Sequence, residues 1–213
     1  MSNLVDDFMK NMKSLNKKEY IYNVITYGIA PTISGDKCGT VINFSNKYLD
    51  SYEIWKNNNQ EFLSNIPIKN FELNLTKNEC TVLFYDKRSL ENLLNREGYF
   101  EFLYNYGYDK NVSLEEYLYR LKLRYMNACP HEIGLFLGIP LYDVLGFIKN
   151  SGKNYLYCGY WKVYNELEEA LKVFERYNEV KRKVMKLVGE GKKAFEVIEL
   201  LKIDISKNMG EQF

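Results

Sequence analysis

The feature of this sequence that most constrains its fold is a pair of strand-like runs separated by a short polar turn. Phe71-Glu-Leu-Asn-Leu-Thr76 alternates apolar and polar residues with the period of a half-buried strand. Lys77-Asn78 separates it from Cys80-Thr-Val-Leu-Phe-Tyr85, a β-rich run, and the two read as a hairpin. Strands joined this tightly pair antiparallel, because a parallel return needs a crossover of a dozen or more residues. Residues 38–44 have β-branched character and read as a further short strand, and 155–164 are aromatic enough to supply another.

Helices account for most of the remainder, near residues 4–12, 17–27, 47–58, from Ser89, 114–127, 131–137, 141–150, 165–188 and 192–201. The stretch Gly28-Ile-Ala-Pro-Thr-Ile-Ser-Gly35 is read as a loop that breaks the second helix. Ser113 and Glu116 have the spacing in which a hydroxyl and a carboxylate satisfy free amides at a helix start, and Asn165 with Glu168 is expected to cap the long helix. Pro130 and Pro140 each fit the first turn of a short helix.

Without regular strand–helix alternation, the expected class is α+β. The expected architecture is a small, largely antiparallel sheet of three to four strands packed with seven or eight helices, including a helix-turn-helix-like pair at 130–150. Residues 1–205 read as a single domain and 206–213 as a frayed tail.

Charge narrows the partners. Lys and Arg number 29 against 28 Asp and Glu, and the net charge of +1 provides no field to attract a polyanion, so nucleic acid is not an expected partner. No apolar run approaches the roughly 18 residues of a spanning helix, and the start lacks the pattern of a signal peptide. A cytoplasmic protein with no membrane partner is expected. Cys38, Cys80, Cys129 and Cys158 contain no Cys-x-x-Cys pair, which argues for four reduced thiols over a zinc ribbon or a redox dithiol.

A single histidine removes many mechanisms that need two. His131-Glu132 is not followed by a second histidine one turn later, so the zinc-protease motif fails, and multi-histidine iron and copper sites fail with it. No Gly-x-Ser-x-Gly elbow or dinucleotide fingerprint is present. Gly146, Gly152 and Lys153 miss the phosphate-loop spacing by one residue, with Asn154 in the place of the magnesium-binding hydroxyl.

The candidate functional segment is therefore Cys129-Pro130-His131-Glu132. With Pro130 as the first helical residue, Cys129 is the cap, and the amides of His131 and Glu132 face an anion. The same field would lower the Cys129 thiol and keep His131 neutral. The functional reading is a reactive thiol or an anion or metal site, with Cys158 or Cys38 as a third ligand. The plainer reading is a helix start holding a buried cysteine and a hydrogen-bonded histidine. Residues two apart on a helix diverge by about 200°, which disfavours a Cys129–His131 catalytic pair.

Residues 132–148 place Gly134, Gly138 and Val144 at the offsets of a helix-turn-helix. The would-be recognition helix, however, presents Leu141, Tyr142, Asp143 and Leu145 where base and phosphate contacts need Arg, Lys, Asn or Gln. The pair is read as core packing or a surface for an apolar ligand. Lys149, Lys153 and Lys162 lie close by in sequence and suit a phosphate or carboxylate, or simply a solvated face. Tyr155, Tyr157, Tyr160, Trp161 and Tyr164 would line a flat-ligand pocket or a sheet surface.

The run Cys129-Pro-His-Glu-Ile-Gly-Leu-Phe-Leu-Gly-Ile-Pro-Leu-Tyr-Asp-Val-Leu-Gly-Phe-Ile148, with Gly152-Lys-Asn154 and Cys158-Gly-Tyr-Trp-Lys-Val-Tyr164, resembles the signature of an uncharacterised bacterial family, domain of unknown function 3793. Ala30-Pro31-Thr32 and Lys37 match its N-terminal signature, so the resemblance covers nearly the whole chain. It implies a site location and little chemistry. The family pattern often carries cysteines where this chain has Ile29 and Tyr160, which weakens any mechanism needing a full thiol set.

The expected function is binding of a small anionic or aromatic ligand in a cleft between 130–150 and the 30–37 loop, with an enzymatic role left open. His131 and Glu132 are the catalytic candidates. Lys37, Cys129, Lys153, Trp161, Lys162 and Tyr164 are the ligand-binding ones. No metal is assigned and no cofactor is named. A protein-interaction module is the alternative, and DNA binding through the helix pair is third.

Overall fold

The computed structural model of the protein describes residues 2–110, 112–126 and 128–210, with side chains over 4–202 of that range. The hairpin forms as expected, β2 (Lys69–Leu75) pairing antiparallel with β3 (Glu79–Tyr85). The other edge of β3 takes β1 (Gly39–Ser45), also antiparallel, giving the order β1-β3-β2. Because β3 is central and covered on both faces, it carries a near-continuous apolar run instead of an alternating one. Its side chains divide two cores. Cys80, Val82 and Phe84 enter the first, while Leu83 and Tyr85 enter the second.

The first core is closed by α1 (Ser2–Ser14), α2 (Lys17–Ile33) and α3 (Ser51–Ser64), with α9 (Leu167–Gly189) and α10 (Ala194–Gly210). Asn16 caps α2 by accepting from the Glu19 amide at 2.9 Å. The loop expected at 28–35 is a correction: α2 runs through Pro31 to Ile33, and only then turns at Gly35, where φ is +82°. An interior proline costs about 3 kcal/mol. Here Ile21, Tyr22, Ile25, Ile29 and Ile33 are all buried on that helix, and their burial outweighs the cost. Gly28 admits Ile42 at a distance that a Cβ would not allow. Trp55 of α3 stacks on Phe44 of β1 with centroids 4.5 Å apart.

The second core is made by α4 (Lys87–Leu94), α5 (Tyr99–Tyr104), α6 (Leu114–Tyr125), α7 (Ile133–Phe136) and α8 (Leu141–Lys149) against the other sheet face. Ser113 accepts from the Glu116 amide as expected, at 3.3 Å. Residues 155–164 are a second correction. They form not one strand but a two-stranded hairpin, β4 (Tyr157–Cys158) with β5 (Lys162–Val163). Trp161 and Val163 of that hairpin pack on Ala170, Phe174 and Tyr177 of α9 as a third, smaller core.

The cap expected from Asn165 and Glu168 does not form, since α9 begins after Glu166 in a left-handed conformation with no side-chain cap. The last helix passes the expected end near 201 and reaches Gly210; residues 211–213 of the expected tail lie outside the described residues. Among the described residues, ten helices and two small antiparallel sheets make this α+β, with more short helices than expected. Among the described residues, no helix is long and apolar enough to cross a membrane.

Candidate functional site

The helix pair holds its expected packing. A Cβ on Gly134 of α7 would lie 2.8 Å from Val144 Cγ2 of α8, so glycine there allows the close crossing, and Gly138 turns the chain at φ +77°. The N-terminus of the pair departs from expectation. Pro130, His131 and Glu132 form a turn closed by i to i+3 bonds, and α7 itself is a single turn of four residues. So short a helix aligns too few peptides for an anion site, and Cys129 is not its cap. All four cysteines are free thiols, Cys129 and Cys158 exposed, Cys38 half-buried and Cys80 buried.

His131 and Glu132 point to opposite surroundings. Glu132 is fully buried, ion-paired to Arg124 through Nε and Nη2, and accepts a long contact from Tyr108 Oη at 3.5 Å. The Arg124 guanidinium also covers the Tyr106 ring at 4.8 Å. Burial pushes the Tyr108 phenol far up, and the neighbouring Glu132 adds to this. Glu132 is thus saturated within the second core.

His131 instead is exposed at the edge of a cavity of about 190 Å³, its ring 5.5 Å from that of Phe147. The walls are largely apolar, with Leu137, Ile139, Val144 and Phe147 from the helix pair and Trp161 with Lys162 from the second hairpin. The His131 ring makes no hydrogen bond among the described residues, whereas every other polar wall group from α8 and the second hairpin is already engaged. Lys162 Nζ donates to Gly152 O at 2.7 Å and lies over Phe147 and Tyr155. Asp143, also in the wall, is buried and accepts from Trp161 Nε1 at 2.7 Å, Tyr164 N at 2.7 Å and Asn165 N at 3.2 Å. That carboxylate clamps the hairpin onto α8 and so sets the position of the Trp161 wall.

The structure therefore gathers Cys129, His131, Trp161 and Lys162 into one cavity. Tyr164 stands behind it, packed on Gly146, where a Cβ would lie 2.5 Å from the ring. Lys153 and Lys149 are exposed and line none of it. Lys37 lies elsewhere, at the turn after α2 against Tyr177 of α9. The second wall of the cleft is thus the 157–163 hairpin and not the 30–37 segment, which is helix as far as Ile33.

Sequence reasoning missed Phe147 and the clamp at Asp143. Both had a signal: Val144 and Phe147 are three apart on one helix face, and Asp143 is an isolated acid in the apolar run Leu141–Ile148. Searches among curated proteins and among solved structures give no significant match. A family model described as a protein of unknown function (DUF3793) matches residues 25–198, spanning α2 to α10 with the cavity inside, and the chain belongs to that family.

Proposed function

We propose that this protein binds a small, flat, largely apolar ligand bearing one acceptor or anionic group, in the cavity between α8 and the 157–163 hairpin. The observation that carries this is His131, a chain's sole histidine left exposed and without a hydrogen bond at the edge of an otherwise apolar cavity. Such convergence of apolar walls on one polar group is how small-molecule sites obtain both affinity and orientation. Phe147 and Trp161 supply flat faces, and His131 supplies the group that donates to or exchanges a proton with the ligand. The protein acts in the cytoplasm in this reading.

Trp161 reports the test. With Trp55 replaced by Phe to silence the other tryptophan, titration with benzoate and indole-3-acetate should give a saturable change in Trp161 fluorescence. The change should weaken at least tenfold in His131→Ala. Purification under anaerobic, ligand-retaining conditions followed by native mass spectrometry should show a bound small molecule in wild type and its loss in His131→Ala. Absence of a bound mass together with flat titrations would end this reading in favour of a protein-interaction module, for which Leu156 and Tyr157 on the hairpin are exposed.

A further inference from the structure

Two lysines far apart in the chain flank one touching pair of tyrosine rings at the junction of α2, β1 and α9. Lys37 Nζ lies 5.9 Å from the centroid of Tyr177. Lys181, one turn further along α9, has Nζ 4.7 Å from the centroid of Tyr160 and 4.9 Å from that of Tyr27. Tyr160 and Tyr177 themselves meet edge to face at 5.1 Å. Both lysines are half-buried, and neither ammonium forms a hydrogen bond or ion pair among the described residues.

The charged groups around them are already matched. Asp36 accepts from Ser34 Oγ at 2.6 Å and faces Arg176 Nε at 3.7 Å. Glu175 is held by Arg182 at 2.5 Å, and Glu179 also acts on Arg182. Arg176 and Arg182 thus each have a carboxylate, while Lys37 and Lys181 have only aromatic faces. Ring faces recover part of the cost of desolvating an ammonium but supply no counter-charge. Desolvation first, and the repulsion of Lys181 second, lower the Lys37 amine to about 8, and burial lowers Lys181 too. The neighbouring Cys38 offsets this only in part, and burial raises both the Tyr177 phenol and the Cys38 thiol.

We propose that Lys37 and Lys181 hold a small oxyanion of the phosphate class at this junction, a site separate from the His131 cavity. The anion supplies the missing counter-charge to two amines that otherwise repel each other, and the compact ammonium groups suit it as point donors. The ion is free phosphate or the phosphate of a monoester.

Thermal unfolding and calorimetric titration of the full chain at pH 8, at ionic strength held constant with sodium chloride, test this. Inorganic phosphate should raise the unfolding temperature saturably where added chloride does not. Methyl phosphate binding at least tenfold tighter would mark a monoester as the source, and equal binding the free ion. Lys37→Met and Lys181→Met should each weaken phosphate binding at least tenfold, while Lys153→Met leaves it unchanged. In wild type carrying ¹³C-methylated lysines, phosphate should shift the Lys37 titration upward from about 8. This last readout stands even if a lysine variant fails to fold. No phosphate-specific stabilisation, or the same affinity in Lys37→Met as in wild type, overturns the proposal.

Discussion

Glu132 and Asp143, the two buried acids of the helix pair, and Lys37 and Lys181, the two amines beside α9, are opposite solutions to placing charge inside a protein. Each acid is saturated, Glu132 by Arg124 and Tyr108 and Asp143 by one indole and two backbone amides. Each amine is left with ring faces alone. A saturated buried charge holds structure in place, because removing it orphans its donors. An unsaturated one is a cost carried by the fold, and a bound counter-ion is what relieves it.

The comparison breaks first at Glu132. Glu132→Ala should lower the unfolding free energy by about 3 kcal/mol, since it leaves Arg124 without its partner and opens a hole in the second core. Urea denaturation with an unchanged m-value is the measurement; a loss under 1 kcal/mol would mean the pair is not structural. Asp143→Asn should cost about 2 kcal/mol, because its amide group meets donors that expect an acceptor. It should also shift the emission of Trp161, whose indole N–H loses its acceptor.

The amines should respond with the opposite sign. The unfolded chain holds the Lys37 proton up to the ordinary 10.5, while the folded chain releases it at about 8. Between those pH values the unfolded state binds more protons, so wild-type stability rises with pH across that window. Below it, both states are protonated and the fold carries the full penalty. Lys37→Met should therefore be more stable than wild type at pH 7, by about 1 kcal/mol once solvent screening is discounted. The difference should shrink toward zero by pH 10.5, as read from denaturation midpoints in phosphate-free buffer. The smallest effect belongs to His131→Ala, expected within about 0.5 kcal/mol of wild type because the ring is exposed and unbonded. A larger loss would make His131 a structural residue and not the polar group of a site.

Much of this was legible in the chain. The 71–76 and 80–85 runs, separated by Lys77-Asn78, predict the β2–β3 hairpin because strand period and turn chemistry are encoded over a few residues. The Ser113–Glu116 cap and the Gly134–Val144 crossing are local in the same sense. The passage of α2 through Pro31 was not legible, since local rules count the lost hydrogen bond but not the burial of Ile29 and Ile33 on the far side. Nor was the hairpin at 157–163, whose place depends on the Asp143 carboxylate some twenty residues earlier.

The sequence by itself determined the α+β class, the antiparallel hairpin, the family, and the stretch Cys129–Lys162 in which the candidate cavity lies. Only the tertiary structure decided that His131 faces a cavity while its neighbour Glu132 is sealed in the core, and that Lys37 lies over Tyr177 and outside that cavity. The physical reason is range: hydrogen-bonding pattern and periodicity act between residues close in the chain. Which groups find a counter-charge is settled by elements that arrive from far along it.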